Sequence, residues 1–392
     1  MLVAASSAVL LLFSEHTTQQ ISRLTESSLL FEQLRAHEDA LLYSRYDTSY
    51  AFAKPVPSVE QLHGLPTELS PRVSRMPWGY FDLVHVTSRI GPRILSSVRL
   101  VGSAPTQRAD YLQVSRAGSA DVYAAPGSQI AVPVLGATII PDPDSEALPG
   151  VGPAVLSGGQ QRDTLRTHPQ AKWRVEDSPR GRKVLTGDAA WLQPPVELVG
   201  HDLYFGEGDS LVGKTIVNAT GRVSISAQAY LDNVLVVAKE IVLARGARVR
   251  GQFVANQSIL VGQDVRLGAP SILALRPTSA HDTTRVTFGE GSVLSGGIYV
   301  AQTSSLWTST VQLLPGSRVS GYVVTPGLLD NQGIIEGYCH SGQLARVAEG
   351  GVTTGYLNGG HFLPLATATA QTMGPVIRTS NPTQRPCVHP IL

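Results

Sequence analysis

Three segments of the chain align without a gap and decide its fold: IVLARGARVRGQFVA (residues 241–255), VTFGEGSVLSGGIYV (286–300) and VQLLPGSRVSGYVVT (311–325). Each opens on an apolar residue, has a second apolar residue two places on, and continues with a glycine and a small residue. A third apolar residue precedes a second glycine, and an apolar pair closes the segment. The shared glycines are Gly246, Gly291 and Gly316 at the first position and Gly251, Gly296 and Gly321 at the second.

The alternation of apolar residues indicates strands, because side chains two apart lie on the same face of a strand. Glycines at fixed offsets indicate structural corners, where the backbone turns with positive φ or packs closely. A unit of strand, corner and strand cannot bury its own apolar face, so it must stack on neighbouring units. The sequence therefore predicts a solenoid.

Strand-like segments on both sides extend the repeat. Val223, Ile241 and Ile259 are evenly spaced and give a coil of about 18 residues. This length exceeds two hexapeptides and lacks their six-residue period, which disfavours the left-handed helices of acyltransferases. The flanking and intervening segments are DLYF (202–205), TIVN (215–218), VSIS (223–226), VLVVA (234–238), SILVGQDVRLGAPSIL (258–273) and LLDNQGIIEGYC (328–339).

Composition favours a mainly β protein and argues against several other classes. The 392 residues are 42% hydrophobic, which is enough to fill cores, so the chain is not a disordered protein. Lys and Arg number 31 against 30 acidic residues, and this balance produces no field that attracts nucleic acid or an anionic membrane. The 38 glycines and 26 prolines suit many short strands joined by turns. We predict no nucleic-acid partner.

Residues 208–215, GDSLVGKT, match the phosphate-binding loop pattern G-x-x-x-x-G-K-[ST]. That loop works only where a helix follows, because free amides at the helix N-terminus hold the phosphate. Here the residues that follow, IVNATGRVSIS, contain β-branched residues, a turn and an alternating strand. We therefore interpret Gly208 and Gly213 as corners and Lys214 as a surface residue. The sequence predicts no enzyme, no catalytic residue, no cofactor and no metal ligand.

The first 45 residues predict a segment distinct from the solenoid. Residues 2–13 are almost entirely apolar, but the run is shorter than the ~20 residues needed to cross a bilayer. It is either an interfacial or partner-bound segment, or the true chain begins upstream. The residues after it show helical periodicity and predict a long amphipathic stalk. Its apolar face, which we expect to assemble with another helix or to anchor in a membrane, contains Leu24, Phe31, Leu34 and Leu41.

An apolar N-terminus that runs into such a helix, ahead of a β-rich body, resembles a type IV pilin or pseudopilin in outline. No prepilin cleavage motif is visible, and Ala5 stands where pilins usually carry glutamate. The alternative is a helix that packs on its own domain.

The chain has two cysteines, Cys339 and Cys387. A disulfide between them would tie the C-terminal tail to the last coil in an oxidising compartment, and two unpaired structural thiols fit the same data. The chain lacks a C-x-x-C pair, which argues against a zinc site built on cysteine.

The recurring G-[AS]-x-V-x-G corners, as in ARGARVRGQFVA and LPGSRVSGYVVT, resemble those of bactofilins, the polymer-forming β-helix proteins. The resemblance covers residues 196–340. It implies a right-handed parallel β-helix that polymerises end to end without nucleotide and associates with membrane through a short apolar N-terminus. This chain differs in its extra residues before the repeats, its C-terminal extension and its longer insert at residues 276–285. We expect these additions to cap one or both ends.

The predicted fold class is mainly β: a right-handed parallel β-helix preceded by an N-terminal α-helical stalk and a small β-rich domain. The predicted segments are the apolar segment and stalk (1–45), a linker (46–75), the β-rich middle domain with loops (76–195), the β-helix (196–340) and a C-terminal extension (341–392).

The expected function is that of a non-enzymatic scaffold subunit of the bacterial cell envelope, membrane-associated or filament-forming. Its body would be periplasmic or extracellular, or alternatively the protein would be cytoplasmic and membrane-associated. Its expected partners are further copies or homologous subunits. The alternative is a carbohydrate-binding or polysaccharide-processing β-helix, with a glycan as partner. That function needs charged side chains clustered outward on successive coils, and the sequence shows only Arg245, Arg248 and Arg250 on one coil.

Overall fold

The computed structural model describes residues 72–90, 93–103, 112–114, 121–141, 174–175, 183–184, 195–278, 283–301, 309–348, 351–365 and 386–390. These residues form strands and turns, and none of them lies in a helix. It follows that no membrane-spanning helix is present in this part of the chain.

In the described part of the chain, fifteen strands precede the first long, bent strand, and most of them are short. In chain order they are β1 (Arg72–Trp78), β2 (Phe81–Ile90), β3 (Arg93–Ser103), β4 (Leu112–Val114), β5 (Asp121–Ala124), β6 (Gln129–Ile130), β7 (Val134–Leu135), β8 (Thr138–Pro141), β9 (Arg174–Val175), β10 (Lys183–Val184), β11 (Val196–Gly200), β12 (Leu203–Phe205), β13 (Ser210–Val212), β14 (Thr215–Ala219) and β15 (Arg222–Ile225).

The strands that follow include the longest ones, which bend through the corners. They are β16 (Tyr230–Leu243), β17 (Arg248–Val261), β18 (Arg266–Leu275), β19 (Thr284–Phe288), β20 (Val293–Val300), β21 (Ser309–Leu313), β22 (Arg318–Asn331) and β23 (Ile334–Ala348). The chain then forms β24 (Gly351–Thr354), β25 (Tyr356–Leu357), β26 (His361–Leu363) and β27 (Pro386–Pro390).

Parallel pairing between successive turns of the chain builds one large sheet. Arg222 lies beside Glu240, 18 residues later, and the next turn follows in the same register. Each turn, called a coil below, contributes to three faces. In one coil residues 240–243 lie on the first face, 248–250 on the second and 251–255 on the third. The sheet closes on itself because the long strands take part in more than one face.

The corners between faces are glycines with positive φ. Gly246 (φ 74°) lies in the turn from the first face to the second, and Gly251 (φ 157°) lies between the second and third. The second corner also requires a missing side chain, because a Cβ on Gly321 would overlap the carbonyl oxygen of Gly296 one coil away. At Gly296 and Gly321 the backbone of the neighbouring coil lies too close for a Cβ, whereas the coil before Gly296 has Ser271 at the equivalent position.

The core is a set of apolar columns inside the coils. Because side chains alternate along a strand and the coils are in register, like positions stack on one another. One column from the third face contains Val236, Phe253, Leu273, Ile298, Val323, Cys339 and Leu112, all at most 1% exposed. This continuous burial of apolar surface stabilises the stack.

The last coils come from a part of the chain that precedes the repeats. Strand β4 pairs in parallel with β23, placing Leu112 beside Cys339, and β6 pairs with β26. On the first face β5 lies between β25 and β8. Within the described part of the chain, residues 112–114 and 121–141 therefore form the end of the stack that follows β23. We call these residues the end coil.

By internal packing the chain divides into two units. One comprises Met1–Met76 and Leu83–Arg99, and the other comprises Pro77–Asp82 and Leu100–Leu392. In the described part of the first unit, Val84 and Val86 are fully buried. The coil stack lies entirely in the second unit.

The fold class predicted from the sequence is wrong as stated. The described residues contain no helix, so the α-helical stalk is not supported, and their parallel strands form a closed sheet. Strands β4 to β8, which the prediction placed in a separate small β-rich domain, belong to the end coil. The predicted stalk itself lies outside the described residues, as do its proposed anchor side chains Leu24, Phe31, Leu34 and Leu41. The β-rich composition and the parallel, β-helix-like stacking are confirmed.

Candidate functional site

The outward side chains of the second face form two columns along the coil stack. The first column brings together residues from seven successive strands, because each coil repeats the register of the one before. Four of its members, Tyr230, Arg248, Arg266 and Arg318, are exposed. From one end to the other it contains Ser210, Tyr230, Arg248, Arg266, Val293, Arg318 and Ile334.

The second column carries ion pairs near both of its ends. Arg250 donates two hydrogen bonds to the carboxylate of Asp232, and the bond from Nη2 to Oδ2 measures 2.7 Å. At the other end the carboxylate of Glu336 accepts from the hydroxyl of Ser320 at 2.7 Å and lies 3.6 Å from the guanidinium of Arg318. These contacts neutralise Arg250 and, in part, Arg318.

Arg248 and Arg266 are directly in register on neighbouring strands. Among the described ion pairs none involves either guanidinium. Neighbouring strands are about 4.8 Å apart, and like charges directly opposite each other are destabilising. The pair is therefore a local concentration of positive charge on a protein that is nearly neutral overall.

Small side chains lie beside these arginines. Gly268 is exposed, and a Cβ placed on it would come no closer than 3.8 Å to another atom, the Cβ of Arg250. Ser295 and Ser320 are in register in the second column. We call the surface formed by Tyr230, Arg248, Arg266, Gly268, Ser295, Ser320 and Arg318 the arginine trough.

In the sequence we identified Arg245, Arg248 and Arg250 on one coil and missed the arginine from the next coil. In the structure Arg245 pairs with Asp264 at 3.5 Å and Arg250 pairs with Asp232, so neither is free to form the cluster. Arg266 joins Arg248 instead. The 18-residue coil length was the signal that places Arg266 beside Arg248.

All six glycines predicted as corners have positive φ. The values are 74°, 65° and 70° at Gly246, Gly291 and Gly316, and 157°, 144° and 143° at Gly251, Gly296 and Gly321. They shape the turns on both sides of the second face. The residue after the first glycine is small because it is buried in the turn: Ser292 Oγ donates to the carbonyl of Gly262 at 2.8 Å.

The phosphate-loop match is another copy of this turn. Gly208 (φ 80°) and Gly213 (φ 91°) have the same spacing as Gly246 and Gly251, and Leu211 lies in the same column as Val249. A strand, β14, follows the match, so no helix N-terminus faces a phosphate there. The prediction that Lys214 lies on the surface is wrong, since Lys214 is 4% exposed and burial lowers the pKa of its amine to about 8.

Cys339 is a free thiol in this structure and is fully buried in the core column described above. Cys387 lies in β27, and its side chain is outside the described residues, so the choice between a disulfide and two unpaired thiols stays a prediction. Burial raises the pKa of the Cys339 thiol above its ordinary value. A buried neutral thiol at this position acts as an apolar core residue.

A buried carboxylate organises the first face near the end coil. Asp330 is fully buried, and its Oδ2 accepts hydrogen bonds from Gln312 Nε2 (3.0 Å), Gln332 Nε2 (3.2 Å) and the backbone N–H of Val347 (3.2 Å). Its Oδ1 accepts from Asn358 Nδ2 at 3.1 Å. Arg285 donates a hydrogen bond to Oε1 of Gln312, the residue whose Nε2 donates to Asp330. These bonds hold the strand ends that lead into the last coils.

Within the described ranges no group of three or more His, Cys, Asp or Glu side chains is arranged to hold a metal ion. Comparisons with protein-family models, with curated proteins and with solved structures found no match.

Proposed function

We propose that the protein is a non-enzymatic structural subunit, a scaffold whose coil stack acts as a rigid spacer of fixed length. The observation that carries this proposal is the end coil, which terminates a continuous apolar core with residues from a distant part of the chain. The core supports rigidity, because interiors packed in this way resist deformation. The third face runs through β9, β11, β14, β16, β17, β18, β20, β22, β23, β4 and β7.

At the usual strand spacing this series spans roughly 50 Å along the stack axis. A rod of this length separates whatever is attached at its two ends. The register of its faces also fixes the positions of side chains along it, which is what a scaffold requires.

The end coil carries features that oppose further stacking. Pro126 lies in its turn, Pro133 directly precedes β7, and Pro141 ends β8. Proline has no backbone N–H to donate to another strand, and natural sheets use it to protect their edges. These prolines favour a rod that stops over a filament that grows from this end.

The cell envelope remains the proposed location, on the resemblance of the repeat corners to bactofilins. Association with other envelope subunits would then involve the end of the stack opposite the end coil or the outer faces. Both the location and the partners are parts of this proposal.

Electron microscopy and small-angle X-ray scattering of the purified full chain test the proposal. We expect discrete particles that contain a rod of roughly 50 Å. Replacing Pro133 and Pro141 together with threonine should increase end-to-end association. Pro315→Thr, in an exposed turn away from the end coil, is the matched control and should leave the particles unchanged. Wild-type filaments joined through the end coil would contradict a spacer of fixed length.

A further inference from the structure

The arginine trough differs from the other charged positions of the stack. On the first face Arg222 lies in register with Glu240 and forms an ion pair with it at 2.7 Å. On the second face the same geometry places Arg248 beside Arg266. In-register pairs of opposite charge stabilise a sheet and pairs of like charge destabilise it. The like-charged pair therefore costs stability that an anionic ligand would restore.

The residues around this pair extend the site in both directions. Tyr230 is in register with Arg248 and is 54% exposed, so its ring is available for stacking. On the other side Arg318 follows in the same column, two strands beyond Arg266. Gly268 leaves the surface beside Arg266 open, and Ser295 offers a hydroxyl. The trough thus combines cations and an aromatic ring in the first column with hydroxyls in the adjacent second column.

We propose that the arginine trough binds an acidic polysaccharide, a chain of sugars that carries carboxylate or sulfate groups. The guanidinium fork binds carboxylate-like groups through two parallel hydrogen bonds. The serine hydroxyls match sugar hydroxyls, and the amphipathic ring of Tyr230 suits a ligand that is apolar on one side and polar on the other. Regular coil spacing presents these groups repeatedly along an extended polymer.

The local charges favour this ligand over a nucleic acid or a lipid surface. Asp232 and Glu336 in the adjacent column pair with Arg250 and Arg318, so the cations left for a ligand are too few to neutralise a continuous phosphate backbone. The net charge of +1 gives no general attraction to nucleic acid. Anionic membranes bind clusters of four to eight basic residues, more than the trough contains. A polysaccharide with spaced acidic groups needs only the few cations that the arginine trough presents.

Binding of the full chain to defined polymers tests the proposal. The probes are polygalacturonate and heparin as acidic polysaccharides, dextran as a neutral one, duplex DNA, and vesicles containing phosphatidylserine, all measured by calorimetry or cosedimentation at two salt concentrations. We expect binding to at least one acidic polysaccharide that weakens at higher salt, and no binding to dextran.

Two double variants with the same change in net charge localise the site. Arg248→Gln with Arg266→Gln should weaken binding of the acidic polysaccharide about tenfold or more. Arg222→Gln with Arg245→Gln removes two arginines outside the trough, both already in ion pairs, and should change the affinity less than about threefold. Thermal melting of both variants checks that the fold is retained.

Three results would overturn the proposal: no acidic polysaccharide binds the wild-type chain, both double variants lose affinity equally, or DNA or vesicles bind more tightly than every acidic polysaccharide. The inference does not depend on the fixed-length spacer. A failure here leaves the particle dimensions, and hence the proposed function, unaffected.

Discussion

The side chain of Gln252 holds the backbone of Tyr80 against the third face of the coil stack. Gln252 Oε1 accepts a hydrogen bond from the N–H of Tyr80 at 2.6 Å, and Gln252 Nε2 donates to the carbonyl of Trp78 at 2.8 Å. The two bonds bracket Gly79, whose φ is 61°. The ring of Tyr80 then meets the ring of Tyr299 edge-on, with centroids 5.7 Å apart. One amide thus fixes a short segment that covers an otherwise apolar outer face.

We predict that Gln252→Leu lowers the free energy of unfolding by about 2–3 kcal/mol, because it leaves a buried N–H and a buried carbonyl without their partner. Gln257→Leu, at an exposed position five residues away, is the control and should change stability by less than about 0.5 kcal/mol. Urea denaturation followed by circular dichroism measures both. Equal stability of the two variants would show that the amide does not hold this segment.

The two corner positions should respond differently to the same substitution. Gly321→Ala places a Cβ against the carbonyl of Gly296, so it must displace a neighbouring coil and should cost about 3 kcal/mol. Gly246→Ala meets no atom within 4 Å and should cost only the left-handed backbone strain of about 1–2 kcal/mol. Thermal melting compares them. If Gly246→Ala proves the more damaging change, close packing of coils is not the reason for glycine at the second corner.

The Asp330 network gives a contrast between buried and exposed carboxylates. Asp330→Ala removes the acceptor of four hydrogen bonds in a buried site, and we expect it to lower stability by about 3 kcal/mol. Asp264→Asn removes the charge of a carboxylate that is 53% exposed in a surface ion pair and keeps a residue type that tolerates the φ of 58° there, and the expected loss is below about 1 kcal/mol. Hydrogen exchange of the Val347 amide should accelerate in Asp330→Ala alone. If the Val347 amide still exchanges slowly in Asp330→Ala, the hydrogen bonds of Asp330 do not hold the end of β23 in place.

Local repetition was enough to predict the solenoid. The three aligned segments revealed the strand period and the corner glycines, and the even spacing of Val223, Ile241 and Ile259 revealed the coil length, because each coil contacts mainly its neighbours and repeats their environment. The same features explain the phosphate-loop match: Gly208 and Gly213 have the corner spacing, and the β-branched residues after them form β14.

The end coil was missed although it carries the same signal. The segment VYAAPGSQIAVPVLG (122–136) repeats the motif of the later coils, including the PGS of residues 315–317, and Gly127 has φ 81° like the first-corner glycines. The segment precedes the other repeats by many residues, so its stacking on β23 and β26 depends on long-range pairing. Periodicity identifies a coil and does not give its place in the stack. Local spacing likewise does not reveal that Lys214, next to the corner glycine Gly213, is 4% exposed.

The burial of Cys339 leads to a chemical prediction. Its thiol stands in the core column between Val323 and Leu112, and burial raises its pKa, so little thiolate forms at neutral pH. In a Cys387→Ser variant, where Cys339 is the only cysteine, we expect no reaction with a thiol reagent until the protein is denatured. In the wild type, two reactive thiols in denaturant without reductant would match the free thiol seen here. No reactive thiols under those conditions would establish the disulfide that the sequence left open.

Lys214 should make stability depend on pH at alkaline values. Its pKa is about 8 in the folded protein against 10.5 as the reference, so between these values the unfolded chain binds more protons. Stability contributed by this group therefore rises as pH increases from about 8 to 10.5, and below pH 8 its charged form opposes folding. We expect the free energy of unfolding of the wild type, relative to that of Lys214→Met, to increase between about pH 7.5 and about pH 10. The comparison cancels titrations common to both proteins.

ATP with magnesium should leave the melting temperature of both unchanged, since no helix follows the glycine corner. A shift with ATP in the wild type alone would instead identify Lys214 as a phosphate ligand.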